Sequence, residues 1–346
     1  MPTELVQSFR IDAAELPGEA VIFGSSAAMR EVRGQIERIV HTDLPVLIRG
    51  ESGTGKELIA KFLHAHSDRR DAPFVKVNCA AIPGDLLESE LLGYEKGAFA
   101  GAFEAKSGLV EVAACGTLLL DEIGDMDLKL QTKLLRLLED GHYFRVGGSQ
   151  EREAHVRIIC ATSIDLEKAV ERRAFRQDLF YRIEVLNLRL APLRERKEDI
   201  PLLCEHFLEK LSRRFEKAAP PLTATSLHLL KQWDWPGNLR ELENWMGRVI
   251  ILGDERALAA ELVRQMAPLH RENNLQPLSG QLKDPSRLAV STTARTVMLK
   301  VLQANRWNRR KTAEDLNMSY RSLLCRLREA GMLQRRKNHK GLPPKQ

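Results

Sequence analysis

No apolar stretch of the chain approaches the ~20 residues that span a bilayer. The opening Met1-Pro2-Thr3-Glu4 lacks the basic segment followed by an apolar one that marks a secretory signal. The five cysteines, at 79, 115, 160, 204 and 325, form no close pair. Their scatter argues against a disulfide framework or a zinc site and for reduced thiols, as in a cytoplasm. Aromatic residues make up only 5% against 43% hydrophobic residues overall, a balance that fits a helix-rich soluble protein. There is no internal repeat and no long low-complexity tract. At 346 residues the chain has room for two or three domains with a sizeable core.

Against that plain background, residues 50–57 stand out as Gly-Glu-Ser-Gly-Thr-Gly-Lys-Glu. Before them, Pro45-Val46-Leu47-Ile48-Arg49 reads as a buried parallel strand. After them, Leu58, Ile59, Phe62 and Leu63 fall on one helical face. Gly50, Glu51, Ser52, Gly53, Thr54, Gly55 and Lys56 thus form a strand-to-helix turn whose amides and helix end can cradle phosphate, with Lys56 reaching the outer phosphates. Such loops usually end in a magnesium-holding Ser or Thr; here the position is Glu57. A Gly-rich turn without ligand is the alternative, disfavoured by the flanking strand and helix.

A second element lies about 65 residues beyond Lys56, where Leu118-Leu119-Leu120 runs into Asp121-Glu122. Asp121 would hold Mg²⁺, directly or through water, and Glu122 would polarise the attacking water. Between the two elements lies Gly97-Ala98-Phe99-Ala100-Gly101-Ala102. Small residues around one aromatic make a poor strand and a poor helix. The run reads as a mobile tip that carries Phe99 to a partner.

In this order the motifs resemble the AAA+ domain of bacterial enhancer-binding proteins, the activators of sigma-54 RNA polymerase. The resemblance covers residues 21–268, about three quarters of the chain. The phosphate loop, with Glu57 last, is similar to that family's own. Gly97–Ala102 matches its sigma-contacting loop in five of six positions, with Ala100 in place of the usual Thr. Trp235-Pro236-Gly237-Asn238-Leu239-Arg240-Glu241-Leu242 matches its motif near the end of the ATPase domain. The resemblance implies that Asn78 gates Glu122, that Thr162 is the first sensor and that Arg240 is the second. It also implies that Arg176 and Arg182 are arginine fingers acting on a neighbouring subunit. Ser163 stands where Asn is common, and its shorter reach weakens sensing there. Asn238 is expected to cap the helix that carries Arg240. Cys115 stands where the family usually has Gly or a polar residue.

The charge points to a second activity. From Ser291 to Gln346 there are 14 Lys/Arg against 3 Asp/Glu, so this segment carries +11 within a chain of net +6. Val297, Met298, Val301 and Leu302 have helical spacing, Thr312, Ala313 and Leu316 suggest a short second helix, and Tyr320, Leu323, Leu324 and Leu327 a third. Ser319 suits its N-cap. Arg321, Ser322 and Arg326, on the opposite face of that helix, would enter the major groove of double-stranded DNA, with Ser319 and Tyr320 at its start as further candidate DNA-binding residues, while Arg309, Arg310 and Lys311 would meet phosphates. The segment resembles the Fis-type helix-turn-helix that follows the same ATPase.

The expected fold class is α/β: an AAA+ P-loop NTPase with a parallel sheet, a C-terminal helical lid, then a small all-α helix-turn-helix domain. The expected layout is a short extension (1–20), the ATPase α/β subdomain (21–190), the lid (191–268), a linker (269–291), the DNA-binding domain (292–334) and a basic tail (335–346). Only about 20 residues precede the ATPase, too few for a regulatory domain of on the order of 100 residues. Control is therefore expected from a separate inhibitor protein, from expression level, or from nothing, unless the chain is truncated at its start. The resemblance implies a bacterial cytoplasmic protein that uses ATP and Mg²⁺, assembles as a ring (a hexamer in the family) and remodels sigma-54 holoenzyme. Ala100 keeps open a DNA-binding regulator that acts on the ordinary polymerase or represses. An AAA+ DNA motor is a further alternative, against which the apolar loop tip argues.

Overall fold

Short apolar runs make the core. Val46 to Ile48, Leu118 to Leu120 and Ile159 to Ala161 are entirely buried, as strands covered on both faces must be. The structure, a computed structural model, describes residues 6–11, 13–253, 255 and 260–263. Arg309, Arg310, Lys311, Ser319, Tyr320, Arg321, Ser322 and Arg326, with the rest of the expected DNA-binding domain, lie outside the described residues. The chain divides between Asn273 and Asn274, and every described residue belongs to the first unit.

In chain order the strands are β1 (Val6–Phe9), β2 (Val46–Arg49), β3 (Phe74–Asn78), β4 (Gly93–Tyr94), β5 (Lys106–Ser107), β6 (Thr117–Asp121), β7 (His142–Phe144), β8 (Glu151–Glu153), β9 (Arg157–Thr162) and β10 (Leu186–Arg189). Six of them form one sheet in the order β1-β3-β6-β9-β2-β10. The four pairings from β3 to β10 are parallel, but β1 runs antiparallel to β3, with Val6 opposite Val77 and Phe9 opposite Phe74. The expected parallel sheet therefore carries an antiparallel edge, and the expected N-terminal extension supplies it. This strand pairs the otherwise open edge of β3.

The helices are α1 (Glu19–Phe23), α2 (Ala27–Ile39), α3 (Lys56–Ala65), α4 (Gly84–Leu92), α5 (Leu109–Val112), α6 (Leu128–Asp140), α7 (Leu166–Glu171), α8 (Gln177–Ile183), α9 (Ile200–Phe215), α10 (Ala224–Gln232) and α11 (Asn238–Leu252). Strand side chains alternate between faces. Val75, Val77, Leu118 and Leu120 pack with Leu87 and Leu91 of α4 and Leu130 and Leu134 of α6. Ile48, Phe74, Leu119 and Ile159 pack with Met29, Val32 and Ile36 of α2 and Ile59 and Leu63 of α3. The last three helices form a separate core around Trp235, Trp245 and Met246. No described helix is long and apolar enough to cross a membrane.

Helix α2 fastens these layers together. At its N-terminus the Asp199 carboxylate accepts the backbone N–H groups of Ser25 at 2.6 Å and Ser26 at 3.0 Å. At its C-terminus the buried Arg157 guanidinium donates to the carbonyls of Val40 and Ile39 at 2.9 and 3.0 Å. Both charges have the sign that the helix dipole favours. Asp199 directly precedes α9, so the first contact ties the helical unit to the sheet layer. Gly24 makes room for it: φ is +63°, and a Cβ there would lie 2.3 Å from Asp199 Cγ.

Cys115, exposed in the turn before β6, has φ +60°. Its N–H donates to the His155 carbonyl at 2.7 Å, which pins this left-handed geometry. A side chain there costs ~1–2 kcal/mol relative to glycine, part of which glycine's greater unfolded freedom cancels. Cys115→Gly should therefore raise stability by about 0.5–1 kcal/mol, seen as a melting temperature a few degrees higher. A lower melting temperature would contradict this strain.

Candidate active site

The strand β2 ends at Arg49 and α3 begins at Lys56, so the glycine-rich segment fills the turn between them. Gly53 and Gly55 hold φ values of +80° and +101°, and these turn the backbone around the loop. The Thr54 hydroxyl donates to the Glu51 carbonyl at 2.8 Å and closes the loop from within. Lys56 is buried, and its ammonium donates to the Gly50 carbonyl at 2.9 Å. It also lies 3.4 Å from Glu122 Oε1. The loop lysine and the strand-end carboxylate, remote in sequence, thus share one site.

Glu57 does not replace the missing hydroxyl directly. Its carboxylate is taken by Lys61 at 2.7 Å and Lys76 at 2.6 Å, and Lys76 stands 3.4 Å from Asp121 Oδ2. Burial pushes the Glu57 carboxyl up, but the two lysines outweigh it and hold it below the ordinary carboxylate range. The Asp121 carboxylate is a hard oxygen donor, of the kind that fits magnesium.

Register brings the expected switch residues together. Asn78 pairs with Asp121 across β3 and β6, and Arg49 with Thr162 across β2 and β9. The contacts differ from expectation at one point. Glu122 Oε2 accepts the Ser163 hydroxyl at 2.7 Å and the Ser163 N–H at 2.9 Å. Asn78 instead accepts the Ala80 N–H at 3.1 Å, a local turn of the Asx kind. Ser163, whose shorter reach was expected to weaken sensing, holds Glu122 together with Lys56. Its short side chain suffices because Glu122 has φ +52°, which brings the carboxylate to it. The Thr162 hydroxyl is buried and accepts the Ile164 N–H at 3.2 Å.

The lid reaches into the loop. Arg240 donates to the Ser52 hydroxyl at 3.0 Å, and the Leu239 N–H to the Gly53 carbonyl at 2.9 Å. A Cβ on Gly53 would sit 2.4 Å from the Gly237 carbonyl oxygen. Asn238, expected to cap α11, does not: its amide donates to the Ser52 carbonyl at 3.1 Å and to Glu51 Oε2 at 3.2 Å, and its oxygen accepts the Leu193 N–H at 2.8 Å. Capping passes to Glu241, whose carboxylate accepts the Gly237 N–H at 2.8 Å. Glu51 also pairs with Arg194 at 2.6 Å.

Arg176 directly precedes α8, and Arg182 lies in its last turn. Arg176 pairs with Asp178 at 2.6 Å and lines an open cleft with Phe175 and the exposed Tyr181. Arg182 donates to the Leu138 carbonyl at 2.8 Å, near the end of α6.

The surface loop is a closed turn rather than a free tip. Its stem is the β4–β5 pair, and Tyr94 also bridges to Val146. Arg145 braces the same turn against Glu111 at 2.8 Å and Glu95 at 3.3 Å. Within the run, the Gly97 N–H donates to the Ala102 carbonyl at 2.8 Å and the Ala102 N–H to the Phe99 carbonyl at 3.0 Å. The Phe99 ring meets Tyr94 edge-on, 4.9 Å between centroids. Phe103, one residue beyond the Gly/Ala run and for that reason passed over in the sequence, is the more exposed of the two rings.

Asn238→Ala would leave the buried Leu193 N–H without its acceptor and free the lid from Ser52. An unsatisfied buried donor costs about 1–3 kcal/mol. Chemical denaturation should show a loss of that size, and hydrogen exchange should show faster opening at residues 50–56. An unchanged midpoint would contradict the latch.

The family described as Sigma-54 interaction domain matches residues 22–189, and that described as AAA+ ATPase lid domain matches residues 194–277. The chain is similar to the DNA-binding transcriptional activator HyfR of Escherichia coli, 44% identical over 90% of this chain and 48% of that protein. It is similar to the response regulator protein PilR of Pseudomonas aeruginosa, 41% identical over 93% of this chain and 72% of PilR. It thus spans about half the length of the first relative and most of the second. Among solved structures, NtrX from Brucella abortus superposes with a TM-score of 0.66 at 33% identity, covering 90% of this chain and 69% of NtrX. With a phosphate-binding loop, a parallel sheet and a helical lid in this arrangement, the chain belongs to the AAA+ family of sigma-54 activators.

Proposed function

We propose that the protein hydrolyses ATP to remodel sigma-54 RNA polymerase at promoters. One observation carries the reading: a single stretch, residues 78–103, runs from the strand end beside Asp121 through α4 to the loop that bears Phe99. A shift at the strand end has a short covalent route to the loop. The family match over residues 22–189, described as a Sigma-54 interaction domain, supports the partner.

In this reading the amides of residues 50–56 hold the phosphates and Lys56 neutralises the outer ones. Asp121 would hold magnesium, which would supply further charge neutralisation on the transferring phosphoryl group. Glu122 orients and deprotonates the attacking water, and its release from Ser163 sets its position. Arg240 binds from the lid. Arg176 and Arg182 act across a ring interface, which requires an oligomer, a hexamer by family analogy. Leaving the Asp178 pair and the α6 carbonyl would free them for a neighbour's phosphates. Residues 292–334 would anchor the ring on upstream double-stranded DNA.

Two measurements test this. With an ATP transition-state mimic, wild-type protein should capture sigma-54, and Phe99→Ala should lose capture while keeping ATPase within about twofold, as expected of a group outside the reacting site. Equal capture by both proteins would sink the proposed partner contact. Ser163 gives a pH test. Burial raises the Glu122 carboxyl, but the Ser163 hydroxyl and N–H and Lys56 together hold it below its ordinary value. The base is active when ionised, so activity falls as pH drops through its pKa. Ser163→Ala removes one donor, and the acidic limb of the ATPase profile should move to higher pH. A limb that stays put or moves down would contradict the Ser163–Glu122 contact.

A further inference from the structure

Phe103 is the largest unexplained apolar group on the described surface. It is 82% exposed, against 46% for Phe99. Its position is nevertheless defined. Its N–H donates to the Gly101 carbonyl at 2.9 Å, and the preceding Ala102 is buried at 4% exposure and bonded to Phe99. Phe103 belongs to none of the three hydrophobic clusters. A ring held in water by an ordered backbone adds nothing to the core, while its burial on a partner would add on the order of 10- to 100-fold in affinity.

The neighbourhood says which partner. Phe99 and Phe103 flank Ala100-Gly101-Ala102 on one closed turn, so any surface that receives Phe99 lies within reach of Phe103. Phe99 has one side against Tyr94, whereas Phe103 is open. Lys96 and Glu104 lie just outside the two rings in the chain, giving the apolar-centre, polar-rim pattern of a recognition site.

We infer that Phe103 is a second apolar anchor for sigma-54, beside Phe99. This rests on the function proposed above. The two rings would enter an apolar groove of the sigma subunit, Phe103 being available first and Phe99 following when it leaves Tyr94.

The test measures the affinity of the full chain for sigma-54 holoenzyme in an ATP transition-state mimic, with ATPase and oligomer size as controls. Phe103→Ala should weaken binding at least tenfold with ATPase and assembly unchanged, and Phe103→Leu should keep at least a third of the affinity. Wild-type affinity in Phe103→Ala, alongside lost binding in Phe99→Ala, would overturn the inference and leave the proposed function standing. Loss in Phe103→Leu equal to that in Phe103→Ala would also overturn it, because an apolar anchor tolerates that change. No binding by the wild type would remove the proposed function itself, and the inference with it.

Discussion

Asn78 sits opposite Asp121 and Arg49 opposite Thr162 because β3, β6, β9 and β2 are hydrogen-bonded in a single parallel register. The phosphate-binding loop leaves β2, the acidic pair ends β6 and the Thr162-Ser163 pair ends β9. A slip of one residue between any two of these strands would turn their side chains to the opposite face. Burial on both faces forbids it, since Leu118, Leu119 and Leu120 are all fully covered and alternate between the two cores. The chemistry of the site is thus a consequence of strand packing.

A second dependence runs between the loop and the lid. The glycine at 53 is required by its φ and also by the carbonyl of Gly237 pressed against it. Asn238, Leu239 and Arg240, consecutive at the start of α11, touch Ser52, Gly53 and Glu51. Asp199 then joins the base of the lid to α2. The lid therefore forms one wall of the site and is tied on at two separate points. Any movement of the lid is felt where phosphates would lie.

Much of this was legible in the sequence, and for identifiable reasons. The P-loop, the acidic strand end and the Trp235–Leu242 motif announce themselves because backbone-driven sites need glycines and strand ends at fixed spacing. The β1 edge was not legible, since Val-Gln-Ser-Phe is too short to distinguish from coil. The Ser163–Glu122 contact was not legible, because it depends on the left-handed turn at Glu122, which no local pattern reveals. Asn238 was taken for a helix cap because its partners lie more than 180 residues away at Glu51 and Ser52. Phe103 was overlooked since it lies outside the small-residue run, and exposure is not readable from a lone aromatic.

The loop closes the chain of dependence. Its stem is bonded to Val146 and its crown to itself, so the amides of Gly97, Ala98, Ala102 and Phe103 are engaged in its resting form. The central claim is that events at the strand ends alter this closed turn. Hydrogen exchange of the segment around residues 97–103 tests that most directly, compared without nucleotide, with ADP and with an ATP transition-state mimic, in wild type and in Lys56→Ala. The account predicts that the mimic changes loop exchange in the wild type and leaves Lys56→Ala unaffected. Identical exchange at the loop in every nucleotide condition, in a wild type shown to bind nucleotide, would contradict it.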